Sequence, residues 1–179
     1  MIEIRPLREG DDRSSFRSGD PDLDRFFQQF AGQNQFRHHL GVTYVAVDGQ
    51  DILGFATVAA AHIEIDDLPL TARRKLARYP LPVLRLARLA IAESGQGQGL
   101  GLSLLRFVLR LAVQMAEEFG CVGVVVDAKP TSEAFYAKYG FVVLEAVEGQ
   151  SEARPAPVPM FLSISAIRDA MRGRARKKD

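Results

Sequence analysis

The feature that most constrains the fold is a strand, a glycine turn and a helix in direct succession between residues 88 and 120. The apolar segment Arg88-Leu89-Ala90-Ile91 precedes Gln96-Gly97-Gln98-Gly99-Leu100-Gly101, and a long stretch of helical pattern follows. Three glycines at alternate positions allow positive φ angles and leave no Cβ between the backbone N–H groups and a ligand. Because a helix N-terminus adds partial positive charge, this segment predicts a binding site for a phosphate or pyrophosphate.

Two other phosphate motifs do not fit this segment. A P-loop requires Lys-Ser or Lys-Thr after its last glycine, whereas Leu102-Ser103 stands there. A dinucleotide fingerprint has the spacing Gly-x-Gly-x-x-Gly near the start of its fold, whereas these glycines alternate beyond the midpoint of the chain. A tight turn without a ligand is the alternative that the glycines alone leave open.

Composition indicates an ordinary globular protein. The 179 residues fit one domain, and 47% hydrophobic residues with a net charge of +1 are sufficient for a buried core. The single cysteine, Cys121, excludes an internal disulfide and favours a reducing compartment. No apolar run reaches the ~18 residues that a membrane helix needs, and the first residues contain no apolar signal core. We therefore expect a cytoplasmic protein with no membrane segment and no metal.

The first half of the chain predicts one helix and one hairpin. Asp20-Pro21 is typical of a helix start, with the aspartate as N-cap. The apolar residues that follow fall on one helical face: Leu23, Phe26, Phe27 and Phe30. Strands are predicted at residues 42–47 and 52–60, joined through Asp48-Gly49, with Gly54 as a bulge or a point of close approach.

The second half predicts a strand–helix–strand unit. A short helix over 71–79 and a strand over 83–91 lead to the glycine turn, and Gly120 ends the next helix. The apolar run 122–126 is typical of a strand that is covered on both faces. Further elements are a helix at 132–139, strands at 141–144 and 160–162, and a last helix. This order predicts an α/β (α+β) fold in which helices flank a mixed central sheet, with antiparallel N-terminal strands and a parallel strand–helix–strand unit.

This combination of segments resembles the GNAT-type N-acetyltransferases. Besides the strand and the glycine turn, the match includes Ala134-Phe135-Tyr136-Ala137-Lys138-Tyr139-Gly140-Phe141 downstream. The resemblance implies a single GNAT-like N-acetyltransferase domain, which we place at residues 1–165, and acetyl-CoA as cofactor. Residues 166–179 would form a C-terminal helix and a basic tail. Lys129-Pro130 departs from the family pattern, which commonly has an Asn there to contact the pantetheine arm.

A closer resemblance is to the toxin subfamily of bacterial type II toxin–antitoxin systems, whose members acetylate aminoacyl-tRNA. It rests on residues 18–27, on Leu68-Pro69 and on residues 80–90. It implies a ribbon-helix-helix antitoxin as partner, aminoacyl-tRNA as acceptor, and often a homodimer.

The resemblance also implies roles for single residues. Backbone groups of Leu89, Ala90 and Ile91 would hold the acetyl carbonyl and the pantetheine arm. The pyrophosphate would bind the amides of the turn: Gln96, Gly97, Gln98, Gly99, Leu100, Gly101 and Leu102. Tyr136 is expected to be the general acid, because a phenol of pKa ~10 stays protonated at neutral pH and can donate to a leaving thiolate. The alternative for Tyr136 is a core tyrosine, and Tyr139 is interpreted as a packing residue.

Basic residues before and within the cofactor strand are candidate contacts to RNA phosphates. They are Arg73, Arg74, Lys75, Arg78, Arg85 and Arg88, and a solvated helix face is the alternative. Residues 71–179 carry 17 Lys/Arg against 10 Asp/Glu, whereas residues 1–70 carry 6 against 12. Arg85 and Arg88 on one strand would point to opposite faces unless a bulge intervenes.

The sequence identifies no general base. Glu64, Glu93 and His62 are candidates by position only. A base is optional for an α-amine, whose pKa of ~7.7–8.0 leaves an appreciable neutral fraction at pH 7, unlike lysine at ~10.4. Three functions therefore remain: a toxin that acetylates aminoacyl-tRNA, an N-acetyltransferase of a small amine, peptide or protein N-terminus, and a non-catalytic acyl-CoA-binding interaction module. The intact glycine turn and Tyr136 argue against the third.

Overall fold

The computed structural model describes residues 1–64, 68, 80–144 and 157–175. Residues 174 and 175 are described by their backbone alone. The strands are β1 (Ile2–Pro6), β2 (Val42–Asp48), β3 (Asp51–Ile63), β4 (Leu81–Ile91), β5 (Gly123–Ala128), β6 (Val142–Val143) and β7 (Val158–Ser163). The helices are α1 (Pro21–Arg25), a π-helical turn (Phe26–Phe30), α2 (Ala31–Phe36), α3 (Leu100–Glu118), α4 (Glu133–Lys138) and α5 (Ile164–Ala175).

Within these residues the strands form a seven-stranded sheet in the order β1-β2-β3-β4-β5-β7-β6. The predicted α/β fold, with parallel and antiparallel strands and flanking helices, is confirmed. The chain divides into two compact units. Unit 1 contains Met1–Ala59 and Leu86–Arg110, and unit 2 contains Ala60–Arg85 and Leu111–Asp179.

The N-terminal strands of unit 1 form the predicted hairpin. β2 pairs antiparallel with β3 through the turn at Asp48-Gly49, and β1 adds antiparallel to β2. The register of β2 and β3 shifts between Ala46 and Val47, next to the pair Ala46 and Gly54. A Cβ on Gly54 would lie 2.8 Å from Ile91 Cδ1, so the predicted close approach is confirmed.

The predicted helix of unit 1 begins where expected. Asp20 is its N-cap, and the Asp20 carboxylate accepts hydrogen bonds from the amides of Asp22 (3.0 Å) and Leu23 (3.2 Å). The apolar face packs as predicted, and Phe27 stacks on Phe55 of β3 with 4.3 Å between ring centroids. One core cluster of the unit contains Leu7, Phe16, Phe26, Phe27, Ala31, Val45, Val47, Phe55, Ala90 and Ala92. The π-helical turn between α1 and α2 has no counterpart in the sequence prediction.

Unit 2 contains β5, β6 and β7, which come from the C-terminal part of the chain. β5 pairs antiparallel with β7, and β7 pairs antiparallel with β6. Consecutive residues of β5 are buried, as expected for a strand that is covered on both faces. The predicted strand at 141–144 is shorter in the structure, where it comprises Val142–Val143. One core cluster of this unit contains Ile63, Leu68, Leu81, Val83, Val125, Leu144 and Phe161.

The helix after the glycine turn, α3, has the predicted length and end. Its buried residues are Leu100, Leu104, Leu105, Val108, Ala112 and Met115. Gly120 has a φ of 106°, and its amide donates to the Met115 carbonyl at 2.9 Å, which confirms the predicted C-terminal cap. The helix predicted over 71–79 lies outside the described residues. No helix in the described part of the chain combines the length and the apolar composition needed to span a bilayer.

Candidate active site

The glycine turn connects β4 to α3 in unit 1. A 3-10 turn at Glu93–Gly95 follows the strand, and Gly97 and Gly99 then have φ angles of 77° and 76°. Both angles lie in the left-handed region that side chains disfavour, which explains glycine at these two positions. The prediction of a positive φ is wrong for Gly101, because α3 has already begun at Leu100 and continues through Gly101.

The backbone amides of this turn are available to a ligand. Within the part of the chain that the structure describes, the amides of Gly97, Gln98 and Gly99 have no hydrogen-bond partner. The first helical bond runs from the Ser103 amide to the Gly99 carbonyl at 3.1 Å, so the first turn of α3 also leaves its amides without helical acceptors. Exposed N–H groups at the positive end of a 19-residue helix fit an anionic group such as a diphosphate.

Hydrogen bonds attach this turn to the rest of unit 1. The Ala92 amide donates to the Leu53 carbonyl at 2.8 Å, and the Glu93 amide donates to the Arg17 carbonyl at 2.8 Å. The Gln96 side chain donates to the carbonyls of Ser18 and Ile91. Sequence reasoning assigned only the backbone of Gln96 to the site and missed this side chain, because its partner Ser18 is distant in sequence.

The end of β4 has one side chain in the core and two nearer the surface. Ala90 is buried and belongs to the aromatic core of unit 1, whereas Leu89 and Ile91 are half-buried. This alternation agrees with a regular strand, in which successive side chains point to opposite faces. The structure therefore brings the predicted residues of β4 and the glycine turn together in one continuous segment of unit 1.

Tyr136 lies on α4 in unit 2 and is 5% exposed. Its ring makes edge contacts with Phe135 (5.1 Å between centroids) and Phe141 (5.4 Å). Burial raises the pKa of the Tyr136 phenol well above its usual value, so the hydroxyl is protonated throughout the physiological range. This hydroxyl has no hydrogen-bond partner among the described residues. Tyr139 also packs against Phe135, at 5.2 Å, in agreement with its interpretation as a packing residue.

The two described candidates for RNA contact differ in their surroundings. In unit 2, the Arg85 guanidinium forms an ion pair with Asp127, with 2.6 Å between Nη1 and Oδ2. In unit 1, the Arg88 guanidinium lies over the Phe26 ring, 3.8 Å from its centroid. Partial burial lowers the pKa of Arg88, and no described residue offers it a carboxylate or a hydrogen-bond acceptor. Arg88 is therefore a cation without an anionic partner among the residues that the structure describes.

The remaining candidates add little to the site. Arg73, Arg74, Lys75 and Arg78 lie outside the described residues. The base candidates Glu64, Glu93 and His62 are exposed. Among the described residues, no group of three or more His, Cys, Asp or Glu side chains could hold a metal ion.

Residues 39–143 match the family described as Acetyltransferase (GNAT) domain. The chain belongs to the GNAT acetyltransferase family. The matched residues include the glycine turn and Tyr136. As a member of this family the protein is an acetyl-CoA-dependent N-acetyltransferase, as predicted.

Similar proteins include toxins. A tRNA-acetylating toxin of Mycobacterium tuberculosis (strain ATCC 25618 / H37Rv) is 33% identical over 140 residues, which are 78% of this chain and 83% of that toxin. The crystal structure of a tyrosine-to-phenylalanine mutant of KacT is 25% identical, with a TM-score of 0.82 over 94% of this chain and 98% of KacT. The expected likeness to this toxin subfamily is confirmed.

Two solved structures of AtaT share the fold. AtaT complexed with acetyl-methionyl-tRNAfMet is 24% identical, with a TM-score of 0.84 over 96% of this chain and 99% of AtaT. A mutant AtaT toxin bound to the C-terminus of the antitoxin AtaR and to acetyl-CoA is 22% identical, with a TM-score of 0.75 over 93% of this chain and 96% of AtaT. At these identities the likeness establishes the fold alone.

Proposed function

We propose that this acetyltransferase is the toxin of a toxin–antitoxin pair, and that it blocks translation by acetylating the α-amine of aminoacyl-tRNA. The observation that carries the proposal is the 33% identity to the tRNA-acetylating toxin, which extends over 78% of this chain. The AtaT complex with acetyl-methionyl-tRNAfMet adds support, because it shares the fold over nearly the whole chain.

The donor site of this proposal is the end of β4 with the glycine turn. The amides from Gln96 to Leu102 would hold the diphosphate, and the backbone of Leu89, Ala90 and Ile91 would hold the pantetheine arm and the acetyl carbonyl. Acetyl-CoA, when bound, supplies an acetyl thioester that an amine can attack. The amides of Gly97, Gln98 and Gly99 support the diphosphate assignment, since none of them bonds to a described residue and each can donate to a ligand.

Tyr136 is proposed as the general acid. A phenol is protonated at neutral pH, burial raises the pKa of Tyr136 further, and its hydroxyl has no acceptor among the described residues. The O–H would therefore donate a hydrogen bond to the sulfur that leaves the acetyl group, as the general acid for that thiolate. The ring contacts with Phe135 and Phe141 would hold the phenol in one orientation.

The acceptor is proposed to be an α-amine attached to RNA. A chain that offers only exposed candidates for a general base suits an amine that is partly neutral at pH 7, and the α-amine of an aminoacyl ester meets this requirement. Arg88 is the best placed of the described basic candidates, because no carboxylate in the described part of the chain pairs with its guanidinium and would have to be displaced by a phosphate. Arg85 would first have to leave Asp127. Arg73, Arg74, Lys75 and Arg78 remain proposed contacts from the sequence.

We also propose an antitoxin of the ribbon-helix-helix type as partner, and a homodimer as the toxin's own assembly. The support for an antitoxin is the AtaT structure that contains the C-terminus of AtaR. A purified complex of the two proteins, studied by light scattering, would give both stoichiometries. A toxin that elutes as a monomer at micromolar concentration would contradict the homodimer.

The acceptor is tested by incubating the purified protein with labelled acetyl-CoA and three classes of substrate in parallel. These are charged tRNA, uncharged tRNA and free amino acids. We expect label on charged tRNA, released as an N-acetyl amino acid after mild alkaline hydrolysis of the ester. Label on free amino acids alone would contradict the tRNA proposal and support an N-acetyltransferase of small amines.

A further inference from the structure

A buried arginine nitrogen in unit 1 has no hydrogen-bond partner. The Nε–H of Arg13, in the loop between β1 and α1, is shielded from solvent and meets no acceptor among the described residues. The Nη groups of the same guanidinium also make no hydrogen bond or ion pair with any described residue. Burying an N–H of a charged group without an acceptor is unfavourable, so a ligand that brings an acceptor would remove this cost.

The fold holds the Arg13 guanidinium in place from two sides. The Phe16 amide donates to the Arg13 carbonyl at 3.2 Å, and the Phe16 ring is buried in the aromatic core. The guanidinium packs on Gly32 of α2, where an added Cβ would lie 2.9 Å from Arg13 Nη2 and 3.3 Å from Arg13 Cζ. Glycine inside a helix is less favourable than alanine, so Gly32 lowers the stability of α2 but leaves room for the guanidinium.

Arg13 lines a cavity of about 520 Å³ in unit 1. The lining residues are Glu9, Arg13, Gly32, Gln33, Phe36 and Arg37. The Arg37 guanidinium also has no hydrogen-bond or ion-pair partner in the described part of the chain, and Glu9 forms no ion pair with either arginine. None of these residues belongs to β4 or to the glycine turn, so the cavity is separate from the donor site.

The lining favours a phosphate group over a carboxylate. Arg13 and Arg37 contribute two positive charges and Glu9 one negative charge, so the lining is positive as a whole. A phosphate has tetrahedrally placed oxygens and can accept from two guanidinium groups at once, whereas a carboxylate has two oxygens in one plane. Phe36 is half-buried and adds an apolar wall. Arginines beside an aromatic ring are a combination that contacts nucleotides in proteins.

We infer that this cavity is an anion site in which Arg13 and Arg37 bind the phosphate group of a nucleotide. The inference does not depend on the identity of the acetyl acceptor, because free nucleotides and RNA both carry this group. The Gly32 surface presents the Arg13 fork before the ligand arrives, so that less side-chain ordering is needed on binding.

The test follows the Arg13 Nε–H signal in a proton–nitrogen correlation NMR spectrum, where Arg13→Lys identifies the signal by its loss. CoA is present at saturation, so the donor site is filled. The probes are adenosine monophosphate, uncharged tRNA, and acetate at equal ionic strength. We expect adenosine monophosphate to shift the signal saturably and acetate to leave it in place. A saturable shift with tRNA alone would support the phosphate assignment and identify RNA as its source.

Gly32→Ala displaces the Arg13 guanidinium without changing any charge, so the dissociation constant of the phosphate probe should rise about tenfold. Gly173→Ala is the matched control, because it makes the same change in α5, where nothing packs within 4 Å of the added Cβ. This control should change the dissociation constant less than about twofold.

Three results would each overturn the inference. They are no saturable shift with either phosphate probe, a shift with acetate as large as that with adenosine monophosphate, and equal phosphate affinity in Gly32→Ala and the wild type. If Gly32→Ala shows no cooperative thermal transition, Arg37→Gln replaces it, with Arg8→Gln as control. Each of these two changes removes one exposed arginine, but Arg8 lies outside the lining of the cavity.

Discussion

Substituting Tyr136 by Phe removes one oxygen atom from a buried ring. The ring contacts with Phe135 and Phe141 do not involve the hydroxyl and should persist. No described residue hydrogen-bonds to this hydroxyl, so its removal leaves no buried donor or acceptor unpaired. We therefore expect the free energy of unfolding at pH 7 to change by less than about 0.5 kcal/mol.

The same substitution should strongly reduce catalysis if Tyr136 is the general acid. Loss of a positioned acid lowers kcat about 10²-fold or more, which corresponds to about 2.7 kcal/mol in the activation barrier. Calorimetry should give an unchanged dissociation constant for CoA. Tyr139→Phe is the matched control, because Tyr139 also packs against Phe135 and has no proposed role in proton transfer. Wild-type kcat in Tyr136→Phe, measured with a tested acceptor, would refute the assignment.

The raised pKa of Tyr136 adds a pH signature. Below about pH 10 the phenol is protonated in both the folded and the unfolded chain, so it contributes no pH dependence. At higher pH the unfolded chain loses this proton and the folded chain keeps it, so the free energy of unfolding falls by up to about 1.4 kcal/mol per pH unit. Tyr136→Phe should reduce this alkaline slope in denaturant titrations. Tyr44, whose pKa is also raised by burial, should maintain part of it.

Three further predictions concern other residues. Gly99→Ala should lower the free energy of unfolding by about 1 kcal/mol and weaken CoA binding, because its φ of 76° disfavours a side chain although space is available for one; urea denaturation and calorimetry check this. Asp11, whose pKa the Arg5 guanidinium holds below its usual range, stabilises the fold above about pH 4 and loses this effect as the pH falls further. Asp11→Asn should therefore flatten the acid part of a plot of Tm against pH, and an unchanged plot would contradict the pairing. Arg88→Ala should raise the KM for charged tRNA about tenfold and leave the dissociation constant of CoA unchanged. The slope of log KM against log salt concentration should fall by about one, as expected for the loss of one phosphate contact.

Local signals in the sequence were sufficient for most of the elements. Asp20-Pro21 placed the start of α1, Asp48-Gly49 placed the hairpin, and Gly120 placed the end of α3. Each of these features depends on the backbone preference of one or two residues. The π-helical turn at Phe26–Phe30 was not predicted, since its apolar spacing is the same as that of an ordinary helix.

The candidate site was predictable only as far as its motif is continuous in sequence. β4 and the turn from Gln96 to Leu102 form one segment, and two of its three glycines have the predicted left-handed φ. The bond between Gln96 and Ser18 joins residues 78 positions apart, and neither residue type signals a partner. Periodicity describes the face of an element and does not describe which loop a side chain reaches, so such a contact requires coordinates.

Arg85 and Arg88 show that the sequence also does not reveal the partners of charged residues. In the sequence they belong to one basic run, and a charge run alone predicts a solvated face or an anionic partner equally well. The structure gives Arg85 a carboxylate partner in Asp127, whereas Arg88 lies half-buried on the Phe26 ring and has no such partner within the described segments. A desolvated cation is unfavourable unless an anion accompanies it, and the aromatic face compensates only in part. The incomplete compensation of the Arg88 charge, and not the number of basic residues nearby, is the reason to test Arg88 as a contact to a phosphate of the acceptor.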